Sequence, residues 1–320
     1  MKPAFTLCCL FVLCLAVTGC AAIPAPMGHQ SVTPAVESEF FLTRDGLKLP
    51  LRHWDAEGTP RAVIVALHGM SDYSNAFDMP ARQWAPLGIT TLALDQRGFG
   101  AGPNPGLWAG SAAMRADLGD LVQATKRRYP GVAIFALGES MGGGVLLSAL
   151  AESQLEVSGA ILVAPAVWSR RDMPIVYRVA LFLVAHLLPG MDLSNNAASR
   201  VVTIVPSDNI PMLRALSRDP LFQKHTRADA LFGLVNLMDE ARNAPQKITQ
   251  APPILLLTGA KDQVIPHAPT EEVITELGSK GEVRHYANGY HMLLRDLEGP
   301  LVNQDVAQWV LSKVPARQPN

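Results

Sequence analysis

The chain has 320 residues, 48% of them hydrophobic and 17% charged, with a formal net charge of −1. That length and apolar content suit one large globular domain with room for an inserted subdomain. The near-zero charge and the lack of a long Lys/Arg run exclude a basic tail and give no support for a nucleic-acid partner.

The N-terminus reads as a targeting segment. Lys2 supplies a short positive region, and Ala4 to Val17 is uncharged and almost wholly apolar, too short to span a bilayer comfortably. The run ends in Val17-Thr18-Gly19-Cys20. Small residues before a cysteine at this place resemble a bacterial lipobox, which implies a signal peptide over residues 1–19 and a diacylated Cys20 as the new N-terminus. The alternative is an ordinary secretory peptide cleaved after Ala22. All four cysteines (Cys8, Cys9, Cys14 and Cys20) lie here, so a chain processed at Cys20 has no disulfide. Two or more acyl chains would hold it at a membrane. Ala21, where aspartate would direct retention, resembles the outer-membrane sorting pattern, so the expected location is the outer membrane or periplasm of a bacterium.

Residues 20–38 carry the lipidated cysteine and a Pro/Ala/Ser/Thr-rich stretch expected to act as a flexible tether. Phe40 to Leu42 and Leu49 to Trp54 then predict a hairpin around Asp45-Gly46. Continuous apolar runs follow at Ala62 to Leu67, Thr90 to Leu94, Val132 to Leu137, Ala160 to Ala164 and Ile254 to Thr258, with a weaker one at Val283 to Tyr286. Such runs are expected of strands covered on both faces. Helical patterns lie between them, near 76–87, 112–129, 141–153, 269–277 and 300–311. The alternation predicts an α/β fold with a mostly parallel central sheet and helices on both faces. Residues 39–165 and 251–315 form this core. Residues 166–250 exceed what one crossover helix needs and predict an inserted helical cap, with Pro174 to Leu188 largely apolar and Asp229 to Ala241 amphipathic.

Gly138-Glu139-Ser140-Met141-Gly142 falls between an apolar strand and a helix opening. A sharp strand-to-helix turn lifts a serine hydroxyl clear of the backbone, and the flanking glycines relieve crowding. A serine hydroxyl needs a base. Asp262 follows the strand ending at Thr258 through a glycine turn, and His291 lies in a loop beyond the last strand. Ser140, Asp262 and His291 therefore form the candidate catalytic triad, in the chain order nucleophile, acid, base. Asp296 is the rival acid but comes after the histidine, while His267 and His285 sit in a helix and a strand pattern. The backbone N–H groups of Met70 and Met141 are the candidate oxyanion donors. His68 is read as a structural hydrogen-bonding histidine, and Asp95 to Gly100 as a loop-bracing turn. Ser207-Asp208-Asn209 matches part of a penicillin-recognising signature, but without its S-x-x-K partner it counts as chance. No metal motif and no nucleotide loop is visible, so no cofactor is expected.

His68-Gly69-Met70-Ser71, Asp95-Gln96-Arg97-Gly98-Phe99-Gly100, Gly138 to Gly143, Leu257 to Asp262, Tyr290-His291-Met292-Leu293 and Ser217 to Leu221 together resemble the monoacylglycerol lipase/lysophospholipase group of α/β-hydrolases, over about residues 40 to 315. Glu139 stands where many members have histidine. The resemblance implies cofactor-free hydrolysis of a fatty acyl ester through an acyl-enzyme, with a lipid or other acyl ester as substrate. Three alternatives stay open: an aminopeptidase of the same fold holding its substrate's ammonium on Asp239-Glu240, a transacylase, and a non-catalytic binding lipoprotein.

Overall fold

The computed structural model describes residues 24–152, 155–194 and 204–314. The predicted signal peptide, residues 1–19, and Cys20 lie outside the described residues. The strands are β1 (Ala35–Val36), β2 (Phe40–Leu42), β3 (Lys48–Trp54), β4 (Ala62–Leu67), β5 (Ile89–Leu94), β6 (Ala133–Glu139), β7 (Gly159–Val163), β8 (Ile254–Gly259) and β9 (Gly281–Tyr286). They form one sheet in the order β1-β2-β3-β5-β4-β6-β7-β8-β9. Pairing is antiparallel from β1 through β3 to β5 and parallel from β5 to β9. The helices are α1 (Asp78–Trp84), α2 (Ser111–Arg128), α3 (Met141–Glu152), α4 (Ile175–Leu187), α5 (Ile210–Arg218), α6 (Ala228–Arg242), α7 (His267–Leu277) and α8 (Gly299–Lys313). This is the α/β-hydrolase architecture.

The apolar runs form strands because each is buried on both faces. Along β4, Val63, Val65 and Leu67 enter one core with Leu118 and Leu121 of α2 and Val145 and Leu146 of α3. Ala62, Ile64 and Ala66 enter the other, with Trp84 of α1 and Val302, Val306 and Trp309 of α8. The alternation is the pleat itself. The predicted helix near 76–87 is shorter, flanked by 3₁₀ turns at Ser74–Phe77 and Ala85–Leu87, because Pro86 and a left-handed Gly88 stop it.

The tether reading of residues 20–38 needs correction beyond Ala25. Gly28 N–H donates to Asp45 (2.8 Å) and Ser31 N–H to the Arg44 carbonyl (2.7 Å). Val36 in β1 is buried in the core cluster beside Phe41. Pairing of the backbone and burial of Val36 bind this stretch to the domain despite its loop-like composition.

Residues 166–250 divide by what they touch. α6 packs along α3, with Leu237 against Gly144 and Gly233 beneath the Trp108 ring, so it belongs to the helical layer on the sheet. The apolar face of α6 reads identically in sequence whether it meets a cap or a core helix. α4 instead rests on α6 through Phe182 and His186 edges against Phe232, and leaves most of its apolar side chains in solvent. The segments flanking α5 touch the loops at the carboxyl ends of the strands: Gln223 N–H donates to Ser71 O (2.8 Å), Tyr73 Oη to Asp219 (2.6 Å) and Met292 N–H to Pro206 O (3.0 Å).

Candidate active site

β6 delivers Ser140 to the carboxyl edge of the sheet, where α3 begins. Ser140 has φ 51°, a left-handed conformation that non-glycine residues rarely adopt and that marks a site held by its surroundings. Ser140 N–H donates to Val163 O (2.9 Å), and Ser140 O accepts from Ala166 N–H (2.9 Å) and Gly144 N–H (3.0 Å), while Gly142 N–H to His68 O (3.1 Å) ties the elbow to the loop after β4. The glycines are steric necessities. A Cβ on Gly138 would lie 2.3 Å from Gly142 O, and one on Gly142 would lie 2.2 Å from Leu67 O.

Asp262 and His291 meet. Asp262 lies in the turn after β8, where its Oδ1 accepts from the N–H groups of Val264 (2.7 Å) and Ile265 (3.1 Å). Its Oδ2 accepts from His291 Nδ1 at 2.8 Å. Nδ1 therefore carries the proton, and Nε2 keeps a free lone pair. The two turns are stitched by Lys261 N–H to Gly289 O (2.9 Å) and Ala260 N–H to Tyr286 O (2.9 Å). Burial alone would push the Asp262 carboxyl up, but the His291 bond and charge, with the two amides, hold it below its ordinary value. Ser140 Oγ forms no hydrogen bond to His291 here.

Met141 is the first residue of α3, and Met70 lies in the loop after β4, which presses against the serine: a Cβ on Gly69 would be 3.2 Å from Ser140 Cβ. Neither Met70 nor Met141 donates its N–H to a backbone carbonyl among the described residues. His68 is fully buried, with Nδ1 donating to Gly69 O (2.8 Å) and Nε2 accepting from Gln96 N–H (3.0 Å). Burial lowers its pKa, and both ring nitrogens are already engaged in bracing the loop. Asp95 accepts from Ser74 N–H (2.8 Å) and Ala101 N–H (2.9 Å). Arg97 binds Asp45 and Asp117 together. The Asp95–Gly100 turn is thus tied to the hairpin and to α2.

The rival acid faces elsewhere. Asp296 accepts from Ser207 Oγ (2.6 Å) and Tyr290 N–H (2.7 Å). Ser207-Asp208-Asn209 has a local job, since Asn209 caps α5 by accepting from Met212 N–H (3.2 Å) and Asp208 accepts from Leu297 N–H (2.9 Å). The pair proposed to hold a substrate ammonium is occupied: Asp239 is bound by Arg170, and Glu240 by Arg115 and by Ser111 Oγ (2.9 Å). Among the described residues no group of three or more His, Cys, Asp or Glu could hold a metal ion.

Sequence reasoning missed a buried ion cluster below the serine. Arg295 Nη2 lies 2.7 Å from Asp72 Oδ2 and 3.2 Å from Glu139 Oε2. Burial pushes the Glu139 carboxyl up, opposed by the charge of Arg295. The nearest signal was Glu139, an acidic residue at the end of an otherwise apolar strand.

Known proteins share this arrangement of elements. Rat monoglyceride lipase is 27% identical over 296 residues, covering 91% of this chain and 95% of that one. A monoacylglycerol lipase of Mycolicibacterium smegmatis is 28% identical over 276 residues, covering 83% and 94%. The crystal structure of a soluble variant of Saccharomyces cerevisiae monoglyceride lipase in complex with a substrate analog shares the fold, with a TM-score of 0.69 at 20% identity over 92% of this chain and 100% of that one. The family described as serine aminopeptidase, S33 (Hydrolase_4) matches residues 58–298, and the chain belongs to that family.

Proposed function

We propose that this chain is a serine carboxylic-ester hydrolase that cleaves monoacylglycerol through an acyl-Ser140 intermediate, held at a membrane by acyl chains on Cys20. The observation that carries the catalytic reading is the Asp262–His291 hydrogen bond, which leaves a basic nitrogen on the ring of a loop that reaches the serine elbow. His291 Nε2 takes the Ser140 proton as Oγ attacks the acyl carbonyl carbon. The oxygen of the tetrahedral intermediate takes its negative charge against the N–H groups of Met70 and Met141. His291 then protonates the departing glycerol oxygen, and water repeats the sequence to free the fatty acid and Ser140 Oγ.

Three observations support a glycerol-linked lipid substrate. Both sequence relatives are named for it. α4 exposes Ile175, Val176, Tyr177 and Leu187, each more than 60% accessible, an apolar surface suited to lipid. The acidic pair that an aminopeptidase would need is spent on arginines.

The full chain and its Ser140→Ala variant, assayed in detergent micelles on monoacylglycerol, lysophospholipid, p-nitrophenyl esters and an aminoacyl anilide, test the reading. Ser140-dependent release of fatty acid with preference for monoacylglycerol is expected. Anilide cleavage without ester preference would replace it with a peptidase. For the anchor, mass spectrometry of the N-terminal peptide from bacterial membranes should find acylated Cys20 as the first residue. An unmodified terminus at Ile23 would make the leader an ordinary secretory peptide.

A further inference from the structure

The loop carrying His291 starts far from the serine. β9 stands three strands from β6 in the sheet, a span of roughly 14 Å at the usual strand spacing. Residues 287–298 must therefore return across the ends of β8 and β7. Asp262 fixes the histidine ring against β8 but does not connect it to the serine elbow or to the loop of Met70.

Arg295 makes that connection. Four residues past His291, in a turn closed by its N–H to Met292 O (2.8 Å), it sends a buried guanidinium to two carboxylates. Asp72 lies two residues after Met70, and its Oδ1 accepts from Tyr73 N–H (2.9 Å). Glu139 is the last residue of β6, adjoining Ser140. The Arg295 carbonyl also accepts from Asn209 Nδ2 (2.8 Å), so the segment before α5 joins the same point. One side chain thus touches the oxyanion loop, the elbow and the histidine loop.

Stability does not account for the charges. Taking a guanidinium and two carboxylates out of water is expensive, and neutral side chains of similar shape commonly do as well or better. The satisfaction is also incomplete: Glu139 Oε1 and Arg295 Nε have no hydrogen-bond partner among the described residues. What the cluster supplies is fixed geometry between three loops.

We propose that Arg295 is a positioning residue for the ester hydrolysis assigned to Ser140, and the inference rests on that assignment. By holding Asp72 and Glu139 on one guanidinium it keeps the Met70 amide, Ser140 Oγ and His291 in a single frame, touching no substrate atom itself. A displacement of about 1 Å among reacting groups reduces rate by about 100-fold.

The test uses the full chain in detergent micelles with p-nitrophenyl butyrate. Arg295→Met should lower kcat about 100-fold with KM nearly unchanged. Arg295→Lys, whose single ammonium carries charge but not the fork, should recover part of that loss. Because Arg295→Met strands two buried carboxylates and lowers the melting temperature, the triple variant Asp72→Asn/Glu139→Gln/Arg295→Met is measured beside it. The triple variant should regain thermal stability while kcat stays low. If kcat returns with the melting temperature, or if a folded Arg295→Met keeps the wild-type kcat, the inference is overturned. Ser140→Ala in the same series separates the two claims. Turnover that survives in it removes the serine assignment and this inference together, whereas Ser140-dependent turnover indifferent to Arg295 removes the inference alone.

Discussion

Ser207 donates its hydroxyl to Asp296 at 2.6 Å, tying the segment before α5 to the loop that carries His291. Burial pushes the Asp296 carboxyl up, and its other oxygen accepts from Tyr290 N–H, so both oxygens are committed away from the imidazole. Asp262 and Asp296 therefore predict opposite outcomes for the same change. Asp262→Asn should reduce kcat by about 10³–10⁴-fold by disturbing the His291 tautomer, with little loss of stability. Asp296→Asn should lose about 1–3 kcal/mol of stability through weakened bonds to Ser207 and Tyr290, and far less activity. Denaturant unfolding and initial rates on both variants check this. A larger rate loss at Asp296 would make it the acid.

The elbow tolerates no side chain at Gly142. A methyl there meets a backbone carbonyl, Leu67 O, at 2.2 Å, and the carbonyl belongs to a central strand paired on both sides. Relief would require moving β4 or α3. Gly142→Ala should be destabilised by more than about 3 kcal/mol, visible as a fall in melting temperature of roughly 6–12 °C, with activity lost in the fraction that still folds.

Arg97 gathers Asp45 from the hairpin and Asp117 from α2, all three buried. Burial would raise the Asp45 carboxyl, but Arg97, the Thr43 hydroxyl and Gly28 N–H hold it well below the ordinary value. A carboxyl depressed in the folded state contributes stability that is present above its unfolded pKa and is lost as pH falls through the folded one. Asp45→Asn should therefore be less stable than wild type at neutral pH, by about 1–3 kcal/mol since Asp117 still pairs the guanidinium. The difference should shrink as pH drops below the ordinary carboxylate range. Urea unfolding of both proteins from pH 7 down to 3 checks the sign, and a gap that widens on acidification would contradict it.

What could be read from the sequence followed from local chemistry. The parallel strands announced themselves because both faces of Ala62–Leu67 or Ile254–Gly259 are covered, leaving no polar alternation. Ser140 follows such a strand directly and Asp262 follows one after a short turn, so their places at its carboxyl edge were legible. Three features were not. β1 is two residues long, and its pairing with β2 depends on Val36 finding a core that only the folded sheet creates. α6 shows the same periodicity against α3 as it would over a cleft. Arg295 looked like one more charge near the end of a loop, and its partners Asp72 and Glu139 are 223 and 156 residues away, a proximity that only the sheet order produces.

α4 is the element whose composition and surroundings disagree most. Ile175, Val176 and Leu187 are 62%, 69% and 70% accessible, while Ala185 is its one fully buried side chain among the described residues. Apolar side chains left in water contribute nothing to the fold, so Val176→Ser and Leu187→Ser should change unfolding free energy by no more than about 0.5 kcal/mol. At a lipid surface the same side chains would be removed from water, each stabilising the bound state by roughly 1.5–3 kcal/mol. The double variant should therefore hydrolyse a water-soluble short-chain ester at the wild-type rate, yet lose at least tenfold on monoacylglycerol presented in vesicles, together with weaker sedimentation with those vesicles. The measurement uses the Cys20→Ala background, so that no acyl anchor masks the contribution of α4. Equal loss on the soluble ester would place these residues in the fold or the reaction, and no loss on either substrate would leave the exposed face without a role at the lipid surface.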